Sequence, residues 1–316
     1  MFFQSYENSL RALALKNTYK KEDLLTKEFL FEKDGKVEVY WAPFEYINKG
    51  AKVIILGITP GFTQMQLAFQ YVRHHLDTQN HDDLMNHAKK QASFGGTTMR
   101  KNLIDMLDGI GLHTFLDIAS CEQLFNEKNF LLYTTSVLRY PVFIEGENYN
   151  GSKPKILSQD IFVKIINELL VPELNRLKDA VIVPTGKAVS DVLRYLVEEG
   201  KIENQTILFD FPHPSGANGH RKAQYEANKH TFKKQLAIVS NTNTGPSQGS
   251  INEREPSRDQ MTELIKHLKV IGEELKRSND LKERDSYYHN RLAHLADEIE
   301  PYDHRIALVI DHLLNN

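Results

Sequence analysis

The chain has 316 residues, 41% apolar and 26% charged, enough for one large core or two unequal ones. Its formal charge of -3 gives no global basic field, and its only cysteine, Cys121, excludes intramolecular disulfides and thiolate-held metal centres. The first residues lack a basic segment and apolar run of the signal-peptide kind, and no run of ~18 apolar residues could span a bilayer. A cytoplasmic protein without membrane contact is expected.

In chain order, residues 6–31 place Leu10, Leu13, Leu15, Leu24, Leu25, Phe29 and Leu30 between charges at helical spacing, predicting one or two amphipathic helices. Residues 37–43 read as a short strand running into a turn. Val53 to Leu56 form a continuous apolar run, the pattern of a strand buried on both faces. The run stops at Gly57-Ile-Thr-Pro-Gly61, where two glycines and a proline force a tight turn that lets backbone approach a ligand. From Thr63 to Lys90, Met65, Ala68, Phe69, Val72 and Leu76 share one helical face, and a second short helix is expected around Asp82–Met85.

Asn102 to Leu107 continue a helix that Gly109 and Gly111 close. Phe130 to Ser136 concentrate β-branched and aromatic residues, a strand pattern. Residues 145–153 read as an exposed loop, and Ile161–Leu177 as a helix interrupted near Pro172. Ala180–Val183 predict a strand, and Lys187–Glu199 a helix ended by Gly200. The apolar run at Ile207 leads into a second Pro/Gly-framed turn, Phe211-Pro-His-Pro-Ser-Gly-Ala-Asn-Gly-His-Arg221, and a helix to Val239 with Lys222, Lys229, Lys233 and Lys234 exposed. Residues 241–258 then form a polar linker, and 259–316 a helical tail suited to packing or self-association. The expected fold is a three-layer α/β/α domain over residues 1–240, with a central, largely parallel sheet.

A strand ending in Gly57-Ile-Thr-Pro-Gly61 and a later one ending in His213-Pro-Ser215 resemble the two active-site motifs of the uracil-DNA glycosylase superfamily. Between them, Phe94-Gly-Gly-Thr-Thr resembles that family's base-stacking turn, Tyr133–Ser136 its base-reading strand, and Val181–Ala188 its next strand-to-helix step. The resemblance covers residues 35–238. It implies a monofunctional DNA glycosylase that flips a base and hydrolyses its N-glycosidic bond, with DNA as partner and no cofactor or metal. His213 would donate to the departing base and Thr59 would position water. Gly57, Ile58, Phe62, Phe94 and Ser136 would line the base pocket. Pro60, Gly61, Ser215, Gly216, Asn218 and Arg221 would approach the DNA backbone.

Two departures from that family shape the expectation. Thr59 stands where many members carry a water-orienting Asp or Asn and some branches carry Ala; Asp77, Asp82 or Asp83 on the 64–93 insert could substitute for the missing carboxylate. Ser136 replaces an Asn that reads uracil, which points to a larger base such as a modified cytosine, as in removal of hypermodified bases from viral DNA. Plain uracil release in base excision repair and non-catalytic binding of modified DNA are the alternatives. Neither motif loop holds a lysine for Schiff-base chemistry. Pro184-Thr-Gly-Lys-Ala lacks the first glycine and the Ser/Thr of a phosphate loop, and His74, His75, His81 and His87 read as exposed helical residues.

Overall fold

The computed structural model describes residues 2–92, 97–202 and 205–243. The chain divides into two units, Met1–Gly245 and Pro246–Asn316, and the second lies outside the described residues. Phe94, the helical tail and nearly all of the linker therefore lie outside them as well.

The elements begin with α1 (Phe3–Ala12), α2 (Lys21–Leu24), β1 (Leu30–Asp34), β2 (Val37–Tyr40) and β3 (Val53–Gly57). Next come α3 (Phe62–His75), α4 (His81–Ala92), α5 (Thr97–Gly109) and α6 (Leu112–Phe115), followed by β4 (Leu132–Ser136), β5 (Val142–Ile144) and β6 (Glu147–Asn148). The last are α7 (Asp160–Ile165), α8 (Val171–Asn175), β7 (Val181–Pro184), α9 (Lys187–Glu198) and α10 (Arg221–Asn243).

One sheet is parallel, in the order β4-β3-β7, and an isolated parallel bridge from Ile182 to Ile207 adds a fourth position beyond β7. The Ile207 run is thus one bridge long, because Asp210 turns the chain away at a φ of 64°. Alternation along the strands builds the layers, since successive side chains leave opposite faces of a sheet. Val53, Ile55, Val181 and Val183 enter a core with α5, α6 and α10, while Ile54, Leu56 and Ile182 enter the other with α3, α4, α7 and α9. Helices therefore cover both faces, and the mixed α/β fold with a parallel central sheet is as expected.

A second sheet was not anticipated: β1-β2-β5-β6, antiparallel throughout. It corrects two readings. Leu25 to Leu30 are not helical; Phe29 packs edge-on to Phe69 at 4.8 Å and Leu30 opens β1. Residues 145–153 are not simply a loop, because Glu147 and Asn148 pair with Ile144 and Phe143. The helix after Ile161 is interrupted next to Pro172, as expected, by a π turn over Ile166–Leu170. The wider turn accommodates a residue that lacks an N–H and whose ring crowds the preceding carbonyls.

Candidate active site at the strand ends

All four parallel positions send their carboxyl ends to one edge. Because β4 and β7 are added on opposite sides of β3, the strand order reverses there, and such a switch point opens a crevice outside the strand ends. Backbone hydrogen bonds lace the emerging loops together. Val137 and Leu138 N–H donate to Gly57 and Ile58 O, both at 2.9 Å. Thr185 N–H donates to Leu56 O at 2.8 Å, as does its hydroxyl at 2.9 Å, and Gly186 N–H donates to Phe211 O at 2.8 Å. The loops from Gly57, Ser136, Pro184 and Phe211 thus lie side by side.

Gly186 adopts a φ of 100°, and a β-carbon placed there would lie 3.2 Å from His213 Cβ. Only glycine meets both demands, and this close approach seats the histidine against the end of β7. Before it, Asp210 is clamped by Arg194 through two bonds of 3.1 and 2.6 Å, and its N–H donates to buried Ser190 Oγ at 2.9 Å. After it, Asn102 Nδ2 donates to Pro214 O at 2.9 Å, tying the loop to α5.

Within this frame His213 is half-buried, and burial pushes its pKa below the ordinary 6.5. Ser215 N–H donates to His213 Nδ1 at 3.2 Å. A ring nitrogen that accepts carries no proton, so the neutral imidazole holds its proton on Nε2. The side chain is thereby a neutral N–H donor of fixed tautomer.

Thr59 is half-buried, and its hydroxyl donates to Tyr140 O at 2.9 Å, leaving only lone pairs to hold a water. Ser136 stands beside Gly57, whose missing β-carbon would sit 3.5 Å from Ser136 Oγ. Ile58, Phe62, Ser136, Thr59 and His213 are thus brought to one edge with Pro60 and Gly61.

The residues expected on the DNA backbone mostly build their own loop. Asn218 Nδ2 donates to His213 O at 3.2 Å and to Gln224 Oε1 at 3.0 Å, while its oxygen accepts from His220 N–H at 3.2 Å. Arg221 Nη1 donates to Ser215 O at 2.8 Å, and Ser215 Oγ accepts from Ala217 N–H at 3.2 Å. Gly216 is exposed at the tip, close to Thr98.

No substitute carboxylate comes from the insert. The fourteen residues of α3 carry the chain ~20 Å away from Gly61. Asp77, bonded to Arg11, and Asp83, paired with Asn80, cluster with Asp82 at that far end. The return helix α4 comes back only at its last turn, where Gln64 Nε2 donates to Ala92 O at 3.1 Å. Residues 57–62, 136–141, 184–188 and 211–221 contain no Asp or Glu.

Sequence reasoning missed the residues that span motif one from outside. Asn148 Oδ1 accepts from Phe62 N–H at 2.8 Å, capping α3 from another strand. Buried Gly151, at a φ of 84°, presses on Ile58, and a β-carbon there would lie 2.9 Å from Ile58 Cδ1. Only the Asn-Gly turn at 150–151 was a local signal, and it named no partner.

Two cavities lie away from this edge. One, of about 220 Å³, is lined by Lys89, Lys90, Arg100, Phe125, Tyr133 and Thr134, along the outer side of β4. The other, of about 460 Å³, is lined by residues including Glu45, His81, Arg139, Glu173 and Arg176. Neither is lined by residues 57–62 or 211–221.

The chain is 39% identical over 225 residues to the uncharacterized protein YoxB of Bacillus subtilis (strain 168), covering 70% of this chain and 88% of that one. No family model matches. Among solved structures, SMUG2 of Pedobacter heparinus is similar at a TM-score of 0.37 and 12% identity, over 76% of this chain and 98% of that one. A likeness at that score does not by itself assign a fold.

Proposed function

The chain belongs to the same family as Bacillus subtilis YoxB, and we propose that its described domain is a DNA glycosylase acting on a base flipped into the crevice at the strand ends. The observation that carries this reading is the Ser215 N–H bond to His213 Nδ1, which leaves Nε2–H as a neutral donor in a rigid turn. Breaking the C1′–N bond sends its electron pair onto the base, and a preorganised donor at the base carbonyl stabilises that developing charge. Water then adds to C1′, and its proton leaves to solvent or to the base. The free base and an abasic site result. Donor catalysis of this kind contributes ~10²–10⁴-fold.

The base would lie against the Gly57–Thr59 backbone, with Ser136 at the end of the neighbouring strand. Ser136 offers one short hydroxyl where an amide would offer a donor and an acceptor, so a base bulkier than uracil, such as a modified cytosine, is the favoured substrate. An antiviral role would follow from that specificity. With no carboxylate in the four loops, Thr59 Oγ1 holds the water through its lone pairs and the sugar cation forms before attack.

One observation favours a second reading: the Thr59 hydroxyl proton is spent on Tyr140 O. A protein that binds an extrahelical base without releasing it would need no activated water. Incubation with duplexes carrying uracil, 5-hydroxymethylcytosine or its glucosylated form, scored for abasic sites, separates the readings. Release of at least one base supports the glycosylase. Tight binding without release from any duplex overturns it.

A further inference from the structure

The segment from Asn148 to Gly151 crosses the outside of motif one and is held at both ends. Gly151 packs on Ile58, and Tyr149 is buried, with its N–H on Val142 O at 2.9 Å and its ring 5.2 Å from Phe162. Asn148 is exposed, yet its side chain is oriented. Phe62 N–H can donate only to the amide oxygen, so Oδ1 is held at the first turn of α3, and Nδ2 has no hydrogen-bond partner among the described residues. Asn148 Oδ1 also lies 3.7 Å from where a Gly61 β-carbon would sit, which places the amide over the mouth of the motif-one turn.

The hydrogen-bonding groups around that turn are few. The Thr59 hydroxyl is committed to Tyr140 O, the Thr185 hydroxyl to Leu56 O, and Asn218 to its own loop. His213 supplies one N–H. A flipped base is read through hydrogen bonds to its edge, and one imidazole donor with the single short hydroxyl of Ser136 distinguishes few bases.

We infer that Asn148 is a specificity-determining residue whose Nδ2–H donates to a carbonyl oxygen or ring nitrogen of the extrahelical base, while its Oδ1 caps α3. This rests on the glycosylase reading. The amide therefore selects for an acceptor on the base, and Phe62 N–H keeps it from rotating to present the opposite polarity.

Asn148→Asp separates the two roles. A carboxylate still accepts from Phe62 N–H and suits a helix N-terminus, but it offers no donor. The test measures single-turnover release of uracil, 5-hydroxymethylcytosine and its glucosylated form, with thermal unfolding, for wild type, Asn148→Asp and Asn148→Ala. The expected result is a fall of about tenfold or more in the single-turnover rate for Asn148→Asp with Tm held or raised, since one lost hydrogen bond to a base is worth ~1.4 kcal/mol or tenfold. Asn148→Ala should lose both rate and stability. Asn148→Asp releasing base as fast as wild type would show a cap alone and overturn this inference while leaving the glycosylase standing. A wild-type protein that releases none of the three bases overturns both.

Discussion

Lys89 and His213 are both bases that burial makes harder to protonate, and their surroundings separate structure from chemistry. Lys89, on α4, is 7% exposed, and burial lowers its pKa to about 7. Its ammonium donates to Tyr46 O at 2.9 Å and Tyr133 Oη at 2.7 Å. Behind it, Glu173, 1% exposed, is paired with Arg139, whose Nε donates to it at 3.0 Å. Burial pushes the His213 pKa down as well, yet one ring nitrogen is fixed by backbone and the other carries the proton at the edge where β4, β3, β7 and the Ile207 run end. A perturbed pKa thus marks desolvation in both, and only the disposition of donors tells them apart.

Three substitutions sharpen that contrast, in order of expected size. Glu173→Ala leaves Arg139 buried without its carboxylate and should cost about 3–5 kcal/mol in urea unfolding, the usual penalty for breaking a buried pair. Lys89 acts through pH. Its folded pKa of about 7 lies below the ordinary 10.5, so between those values the unfolded chain holds a proton that the native one has released. Stability should therefore rise with pH through that window, by up to ~1.4 kcal/mol per unit, and fall back toward pH 7. Lys89→Met should flatten the rise. Gly186→Ala is smaller: a β-carbon at φ 100° and 3.2 Å from His213 Cβ should cost about 1–3 kcal/mol. It should also slow base release out of proportion to its effect on Tm, because it displaces His213.

Much of the parallel core was legible because buried strands announce themselves locally. Val53–Leu56 and Ala180–Val183 are short apolar runs closed by Gly or Pro, and His213 stands between prolines at the end of another. What escaped was non-local. Glu147 and Asn148 look like loop residues by composition, and pairing with β5 makes them a strand. Nothing near Asn148 in sequence signals that its amide caps a helix 86 residues away. Asp77, Asp82 and Asp83 were candidates because they lie on the insert that follows motif one, but α3 carries them away from it. The polar residues of the His213 turn were legible as a group. That Asn218 and Arg221 brace the turn could be seen only from their partners.

The central claim is that His213 works as a neutral donor, and the most direct test is the pH dependence of single-turnover base release by wild type, with His213→Ala alongside. Burial and the Ser215 N–H bond both favour the unprotonated Nδ1, so the rate should stay level as pH falls through 6.5 and decline only below it. Removing the imidazole should lower the plateau by ~10²–10⁴-fold. A rate that climbs as pH drops through 6.5, or a His213→Ala protein that matches wild type, would contradict the account.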